Sequence, residues 1–322
     1  MLISAAAILI GLLLLFWGAD RLVVGAGATA RNLGVPPILI GLIIVGFATS
    51  APEMLISAVA SMDNAPALAV GNALGSNIAN FGLVLGTAIM ICPIAVQSET
   101  LRREFPAVLA ATMLTLLLFL DNQLSRLDAV VLFVALGILT VWIIVVGSRA
   151  SISDPIRAEP EAESWEDIPA RKATFWLVIG LVTLLGGAEL MVNGGIDVAR
   201  RIGVSELVVG VTIVAVGTSL PELAVAIAGS LKGESDLVLG NVLGSNIFNV
   251  LAVIGIAGAI RPHDFDDGVL TLHFALMSIL TLGVFLLAYN RRTRVQLTRS
   301  SGGVLLATFL IYQVFVLWES LS

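Results

Sequence analysis

Two stretches of this chain, 169 residues apart, copy one another without a gap. Residues 41–53, GLIIVGFATSAPE, fall on 210–222, GVTIVAVGTSLPE. Residues 70–80, VGNALGSNIAN, fall on 239–249, LGNVLGSNIFN, with eight of eleven positions identical. The same register carries Gly18-Ala19-Asp20 onto Gly187-Ala188-Glu189, and Arg31 to Val35 onto Arg200 to Val204. A duplicated unit restricts the fold to architectures in which two similar bodies pack against each other.

What surrounds the copies decides which architecture. Of the 322 residues, 58% are hydrophobic and 12% charged, where a soluble domain carries about 25% charged residues. The charges gather in short gaps between apolar runs, and a run of about 20 residues crosses a bilayer as a helix. Ten such runs are predicted: 3–30, 37–61, 67–92, 104–121, 127–147, 173–199, 206–231, 236–260, 268–289 and 303–320. A spanning backbone must satisfy its hydrogen bonds internally, so the expected class is an all-α membrane protein. Residues 148–172, rich in Glu, Asp, Pro and Ser, read as a solvated linker. They separate a first five-helix repeat, 1–147, from a second, 173–322. Five is odd, so the second copy enters the membrane from the opposite side and the repeats are inverted. Secondary transporters share that plan, with the substrate near the midplane.

Basic residues set the orientation. With both termini outside, twelve Lys and Arg fall in cytoplasmic gaps, Arg31, Arg103 and Lys232 among them, against four outside: Arg126, Arg200, Arg201 and Arg261. The linker is then cytoplasmic, and the protein a multi-pass component of the cell membrane. The first run continues without a cleavage site and is expected to stay as a helix. The single cysteine, Cys92, lies in an apolar run and is expected to be a buried structural thiol.

Glu53 and Glu222 interrupt apolar spans at equivalent positions. A charge at mid-bilayer costs on the order of 2.5–3.5 kcal/mol on insertion scales, and such residues mark ion pathways. Thr49 and Ser50 precede Glu53 by one helical turn, as Thr218 and Ser219 precede Glu222. Pro52 and Pro221 lack an N–H, which is expected to free carbonyls around 46–49 and 215–218. The next span of each copy adds a polar stripe at four-residue spacing, Asn72, Ser76 and Asn80, then Asn241, Ser245 and Asn249, flanked by Asn77 and Asn246. Carboxylates, amides, hydroxyls and carbonyls together suit hard cations. Two carboxylates match one Ca²⁺ or two Na⁺, so mutually exclusive occupancy gives a basis for exchange. His263 and His273 lie away from these motifs and read as loop or helix-end residues. Asp20 and Glu189 admit two readings, an ion entrance or pairing with Arg21 and nearby polar groups.

The paired motifs GFATSAPE and AVGTSLPE, each followed by GN-x-x-GSNI-x-N, resemble the two α-repeats of the cation/Ca²⁺ exchanger superfamily, prokaryotic Na⁺/Ca²⁺ exchanger type. The resemblance implies a ten-helix fold in which the first and sixth helices slide across the other eight, and Ca²⁺ export driven by Na⁺ entry. It implies Glu53 and Glu222 as Ca²⁺ carboxylates, completed by the carbonyls of Thr49 and Thr218. Ser50, Ser219, Ser76 and Ser245, with carbonyls at Gly46 and Ala215, would serve flanking Na⁺ sites, and Asn80 and Asn249 the middle. Some relatives, K⁺-dependent ones included, carry Asp where this chain has Asn249, so K⁺ dependence is not expected. Nor is a Ca²⁺-regulatory domain, since the linker is short. No cofactor, nucleic acid or obligate protein partner is called for; the partners are the bilayer, Ca²⁺ and Na⁺. A H⁺/Ca²⁺ or Na⁺/H⁺ antiporter and, in a different class, a cation channel are the alternatives. Enzyme activity is not expected: no HExxH motif is present and no His accompanies the serines.

Overall fold

The computed structural model describes residues 2–96, 103–150, 168–202, 215–264, 269–288 and 295–321. The first repeat comprises α1 (Leu2–Leu33), α2 (Pro37–Met62), α3 (Pro66–Ile91), α4 (Glu104–Phe119) and α5 (Arg126–Ala150). The second comprises α6 (Ala170–Arg201), α7 (Ala215–Thr218 and Leu220–Leu231), α8 (Ser235–Ile260), α9 (Ala275–Ala288) and α10 (Arg299–Leu321). Among the described residues seven helices are long and apolar enough to cross a membrane, and α4, α7 and α9 contain shorter apolar helices. The linker is trimmed at both ends, because α5 continues to Ala150 and α6 begins at Ala170. Its middle, 151–167, and the first part of the seventh expected span, 206–214, lie outside the described residues.

The protein is helical as expected, and among the described residues four strands of two or three residues lie between the helices. β1 (Ile94–Val96) pairs antiparallel with β4 (Val295–Leu297), and β2 (Gln123–Leu124) with β3 (His263–Asp264). Extended backbone outside a span finds its partners across a ladder instead of within a helix. The β1–β4 pair holds the segment after α3 beside the segment before α10. The β2–β3 pair does the same for the segments after α4 and after α8. His263 of β3 stands 169 residues after Ile94 of β1, so equivalent strands occur in both repeats.

α1 and α6 lie against each other along most of their length. Small residues make that possible, since membrane helices associate by close van der Waals packing and not by hydrophobic exclusion. A Cβ added at Gly11 would stand 2.7 Å from the Gly187 carbonyl oxygen, and one at Gly18 would stand 2.8 Å from that of Gly180. Their outer faces carry exposed Leu9, Leu13, Phe16, Val178 and Val182, as a lipid-facing surface requires.

α8 is the central helix and is buried along its whole apolar window. It packs on α2 through glycines: a Cβ at Gly46 would meet the Gly244 Cα at 3.0 Å, and one at Gly240 the Leu42 nitrogen at 2.9 Å. The equivalent glycines of α3 differ. Gly71 is exposed and Gly75 half-buried, and neither meets a described atom within 4 Å of an added Cβ. Leu68 of α3 is 61% exposed, whereas its counterpart Leu237 of α8 is 0% exposed. The N-terminal half of α3 thus exposes residues whose counterparts on α8 are enclosed; residues 206–214, the counterparts of the α2 segment pressed on α8, lie outside the described residues.

Cys92 is half-buried at the C-terminus of α3, not enclosed in the core. Its backbone has turned extended (φ −137°, ψ 124°) ahead of Pro93, which disfavours the helical region for the residue before it.

Candidate cation site

Both acidic residues sit one turn beyond a break in their helix. α2 stops being regular at Ser50 (φ −81°, ψ 0°), and α7 at Ser219 (φ −89°, ψ 3°). Pro52 and Pro221 fall in the first turn of the helices that restart there, where a missing N–H costs nothing. Thr49, Ser50 and Glu53 therefore do not line one continuous helical face. The break turns Glu53 and Glu222 inward, each 1% exposed. One carbonyl expected to be free is engaged: Gly46 accepts the Ser50 N–H at 3.1 Å. The Ser245 hydroxyl also reaches it, at 3.4 Å.

The polar side chains cross between repeats. Ser76 Oγ lies 3.5 Å from Glu53 Oε1, and Thr218, from the other repeat, faces the same carboxylate. Thr49 and Ser245 face Glu222. The Thr49 hydroxyl donates to Asn241 Oδ1 at 3.2 Å and lies 3.2 Å from Ser245 Oγ. Glu53 and Glu222 thus face side chains of one enclosed polar cluster that both repeats build.

Of the residues singled out in the sequence, Glu53, Glu222, Thr49, Thr218, Ser50, Ser219, Ser76, Ser245, Asn80, Asn249 and Gly46 are all buried. Ala215 opens the short helix that ends at Thr218, and its side chain lies outside the described residues. Asn241, Asn77 and Asn246 are equally enclosed. Asn80 and Asn249 each begin a π-helical turn, Asn80–Leu85 and Asn249–Val253, an irregularity frequent at functional sites.

Many of these enclosed polar atoms make no hydrogen bond within the protein. They include Glu53 Oε2, both Glu222 oxygens, the hydroxyls of Ser50 and Ser219, and the side-chain amides of Asn80 and Asn249. Orphaned polar atoms at this density are costly unless a ligand satisfies them. The donor set is all oxygen, and among the described residues no group of three or more His, Cys, Asp or Glu gathers anywhere. One residue that spacing alone should have added is Ser57. It lies four residues after Glu53 on the buried face of α2 and donates to the Val253 carbonyl at 2.7 Å.

Asp20 pairs with Lys232 at 2.7 Å and with Arg21 at 3.5 Å, while Glu189 is exposed. His273 is bonded to Tyr312 at 2.8 Å, away from the carboxylates.

Known proteins resemble this chain along nearly its whole length. The family model described as sodium/calcium exchanger protein matches residues 3–145 and 172–318. The putative antiporter CaxA of Alkalimonas amylolytica is 42% identical over 99% of this chain and 100% of its own length. The sodium/calcium exchanger MaX1 of Methanosarcina acetivorans is 30% identical over 97% of both chains. A solved structure of the sodium-calcium exchanger NCX_Mj, soaked with Na⁺ and Sr²⁺, superimposes with a TM-score of 0.84 at 32% identity, covering 96% of this chain and 97% of that one. With two α-repeats, a multi-pass helical fold and an all-oxygen buried centre, the chain belongs to the sodium/calcium exchanger protein family, membrane transporters that exchange Ca²⁺ for another cation.

Proposed function

We propose that this protein is a secondary active antiporter that exchanges Na⁺ for Ca²⁺ by alternating access, with Glu53 and Glu222 as its Ca²⁺ carboxylates. The observation that carries the reading is the buried carboxylate pair, three of whose four oxygens have no hydrogen-bond partner. Buried charge without a partner is expensive, and a cation between the two supplies one. One Ca²⁺ or two Na⁺ neutralise the pair, so loading with one ion excludes the other. In this reading the Thr49 and Thr218 carbonyls complete the Ca²⁺ shell. Ser50, Ser219, Ser76 and Ser245, with the Gly46 and Ala215 carbonyls, hold flanking Na⁺, and Asn80 and Asn249 lie between. The neutral amide of Asn249 speaks against a K⁺ requirement. The protein sits in the cell membrane with both termini outside and residues 148–172 cytoplasmic.

The names of MaX1 and NCX_Mj couple calcium to sodium, whereas that of CaxA specifies no counter-ion. Protons can occupy the same carboxylates, so coupling is the point to test. The experiment is ⁴⁵Ca²⁺ uptake into Na⁺-loaded proteoliposomes diluted into Na⁺-free buffer, beside K⁺-loaded and acid-loaded vesicles. Uptake only with the outward Na⁺ gradient upholds Na⁺/Ca²⁺ exchange. Uptake driven by the pH gradient keeps the site and makes H⁺ the counter-ion. No gradient-driven uptake by folded protein removes Ca²⁺ as the substrate.

A further inference from the structure

α1 and α6 are counterparts across the repeat and touch along their length, so together they form one self-symmetric unit. Each member has an equivalent turn of the remaining structure available to it. For α1 this is Lys232-Gly233-Glu234, between α7 and α8; for α6 it is Asp63-Asn64-Ala65, between α2 and α3. The two turns have the same shape, with Gly233 at φ +73° and Asn64 at φ +64°. Their charges differ. Lys232 Nζ lies 2.7 Å from Asp20 Oδ1 on α1, and Glu234 Oε1 stands 3.7 Å from where a Cβ on Gly27 would be. Arg21, 3.5 Å from the other Asp20 oxygen, lies over the Trp176 ring of α6 at 4.8 Å from its centroid. The ion pair is thus tied to both members of the unit. The equivalent residues at the other turn are Glu189 and Asp63, two carboxylates, both exposed.

We infer that Lys232 and Asp20 form a one-sided clip, which holds the α1/α6 unit in the state seen here, with Leu237 of α8 enclosed and its counterpart Leu68 of α3 exposed. The inference rests on the alternating-access reading. An inverted-repeat transporter reaches its second state when its repeats trade conformations around a fixed site. In that second state Glu189 comes to the α2–α3 turn as Asp20 now comes to the α7–α8 turn, and it meets the like charge of Asp63. The clip is lost and nothing equivalent replaces it. The equilibrium between the two faces is therefore biased by residues remote from the Glu53 and Glu222 centre. Lys232 is a positioning residue that acts through Asp20.

The test needs a reporter of the second state that does not depend on which ion is carried. Leu237 is enclosed here against α1, while its counterpart Leu68 is open. In a Cys92→Ala background, Leu237→Cys is labelled by a maleimide only when the packed side opens, and Leu68→Cys serves as the freely labelled control. In detergent-solubilised protein Lys232→Met and Asp20→Asn should each speed labelling at 237 by about two- to five-fold, the factor a partly exposed ion pair supports. The double variant should gain no more than either single one. Asp20→Glu, which keeps the charge facing both Lys232 and Arg21, should keep the slow rate. Asp63→Lys leaves the clip intact and gives Glu189 a mirror partner, so it too should speed labelling. Unchanged labelling in folded Lys232→Met and Asp20→Asn overturns the clip, and so do single effects that simply add. Clip-dependent labelling in a protein that exchanges no Ca²⁺ upholds the clip and sinks the ion assignment instead.

Discussion

Asn77 donates a hydrogen bond through Nδ2 to the backbone carbonyl of Asn246, 3.2 Å away. Asn246 is its own counterpart, 169 residues later. The contact runs one way only, because both polar side-chain atoms of Asn246 lack a hydrogen-bond partner while Asn77 Nδ2 also lies 3.4 Å from Met277 Sδ. Two copies of one unit thus meet near their pseudo-two-fold axis through an asymmetric bond, which ties α3 to α8 in the conformation described.

Equivalent residues should therefore respond unequally to truncation. Asn77→Ala removes a made bond in a buried setting and should destabilise the protein by about 1–3 kcal/mol. Asn246→Ala removes a side chain that makes no such bond and should cost less. Thermal unfolding in detergent compares them directly. Equal losses would mean that the asymmetry has no energetic weight.

Ser57 offers a second unequal pair. Its hydroxyl donates to the Val253 carbonyl at 2.7 Å, whereas the equivalent position in α7 is Ala226, which carries no donor. The bond satisfies a carbonyl at the end of the π-helical turn that begins at Asn249. Ser57→Ala should cost about 1 kcal/mol of stability and loosen that turn, seen as faster amide exchange over 249–257. Unchanged exchange there would remove Ser57 from the support of the Asn249 turn.

Glu53→Gln and Glu222→Gln test the centre itself. Each keeps the shape and removes one of two charges, leaving a site that no longer neutralises a divalent ion. Both variants should express and fold, and both should lose ⁴⁵Ca²⁺ flux. They should also lose Ca²⁺-induced thermal stabilisation, which reaches about 2.7 kcal/mol for a ligand at 100 times its Kd. Wild-type flux in either variant would end the assignment.

Most of the centre was legible in the sequence because its signal is an energetic anomaly that appears twice. Glu53 and Glu222 are acidic groups in apolar runs, and the stripes Asn72–Ser76–Asn80 and Asn241–Ser245–Asn249 keep helical spacing. What spacing misses is pairing between elements. The bond from Thr49 to Asn241 exists because the first half of α2 lies on α8 of the other repeat, and the ion pair of Asp20 with Lys232 because a turn of one repeat docks on a helix of the other. Local breaks were read in place but not in consequence. Pro52 marks the interruption of α2, yet the irregular backbone at Ser50 returns an N–H to Gly46 and engages a carbonyl expected to stay free. The strands at 94–96 and 263–264 have no signature in the sequence, because pairings of two or three residues carry no periodic signal.

The glycines of α3 and α8 give the sharpest test of alternating access. Gly244 and Gly240 are pressed on α2, where an added Cβ would sit 2.8 Å from the Leu42 Cα or 2.9 Å from its nitrogen. Backbone at that distance cannot yield cheaply, so Gly244→Ala should disturb the fold as it stands. Gly75, its counterpart, is half-buried and meets no described atom within 4 Å of an added Cβ, so Gly75→Ala should cost less stability than Gly244→Ala. If the repeats trade conformations, Gly75 must enter in the second state the tight packing that Gly244 has in this one. An added methyl there blocks that state alone. Gly75→Ala should therefore bind Ca²⁺, retain Ca²⁺-induced thermal stabilisation, and fail to turn over. Calcium binding without flux in Gly75→Ala, beside misfolding in Gly244→Ala, is the signature of exchange between inverted conformations. Full flux in Gly75→Ala would show that the open side never closes as its counterpart does.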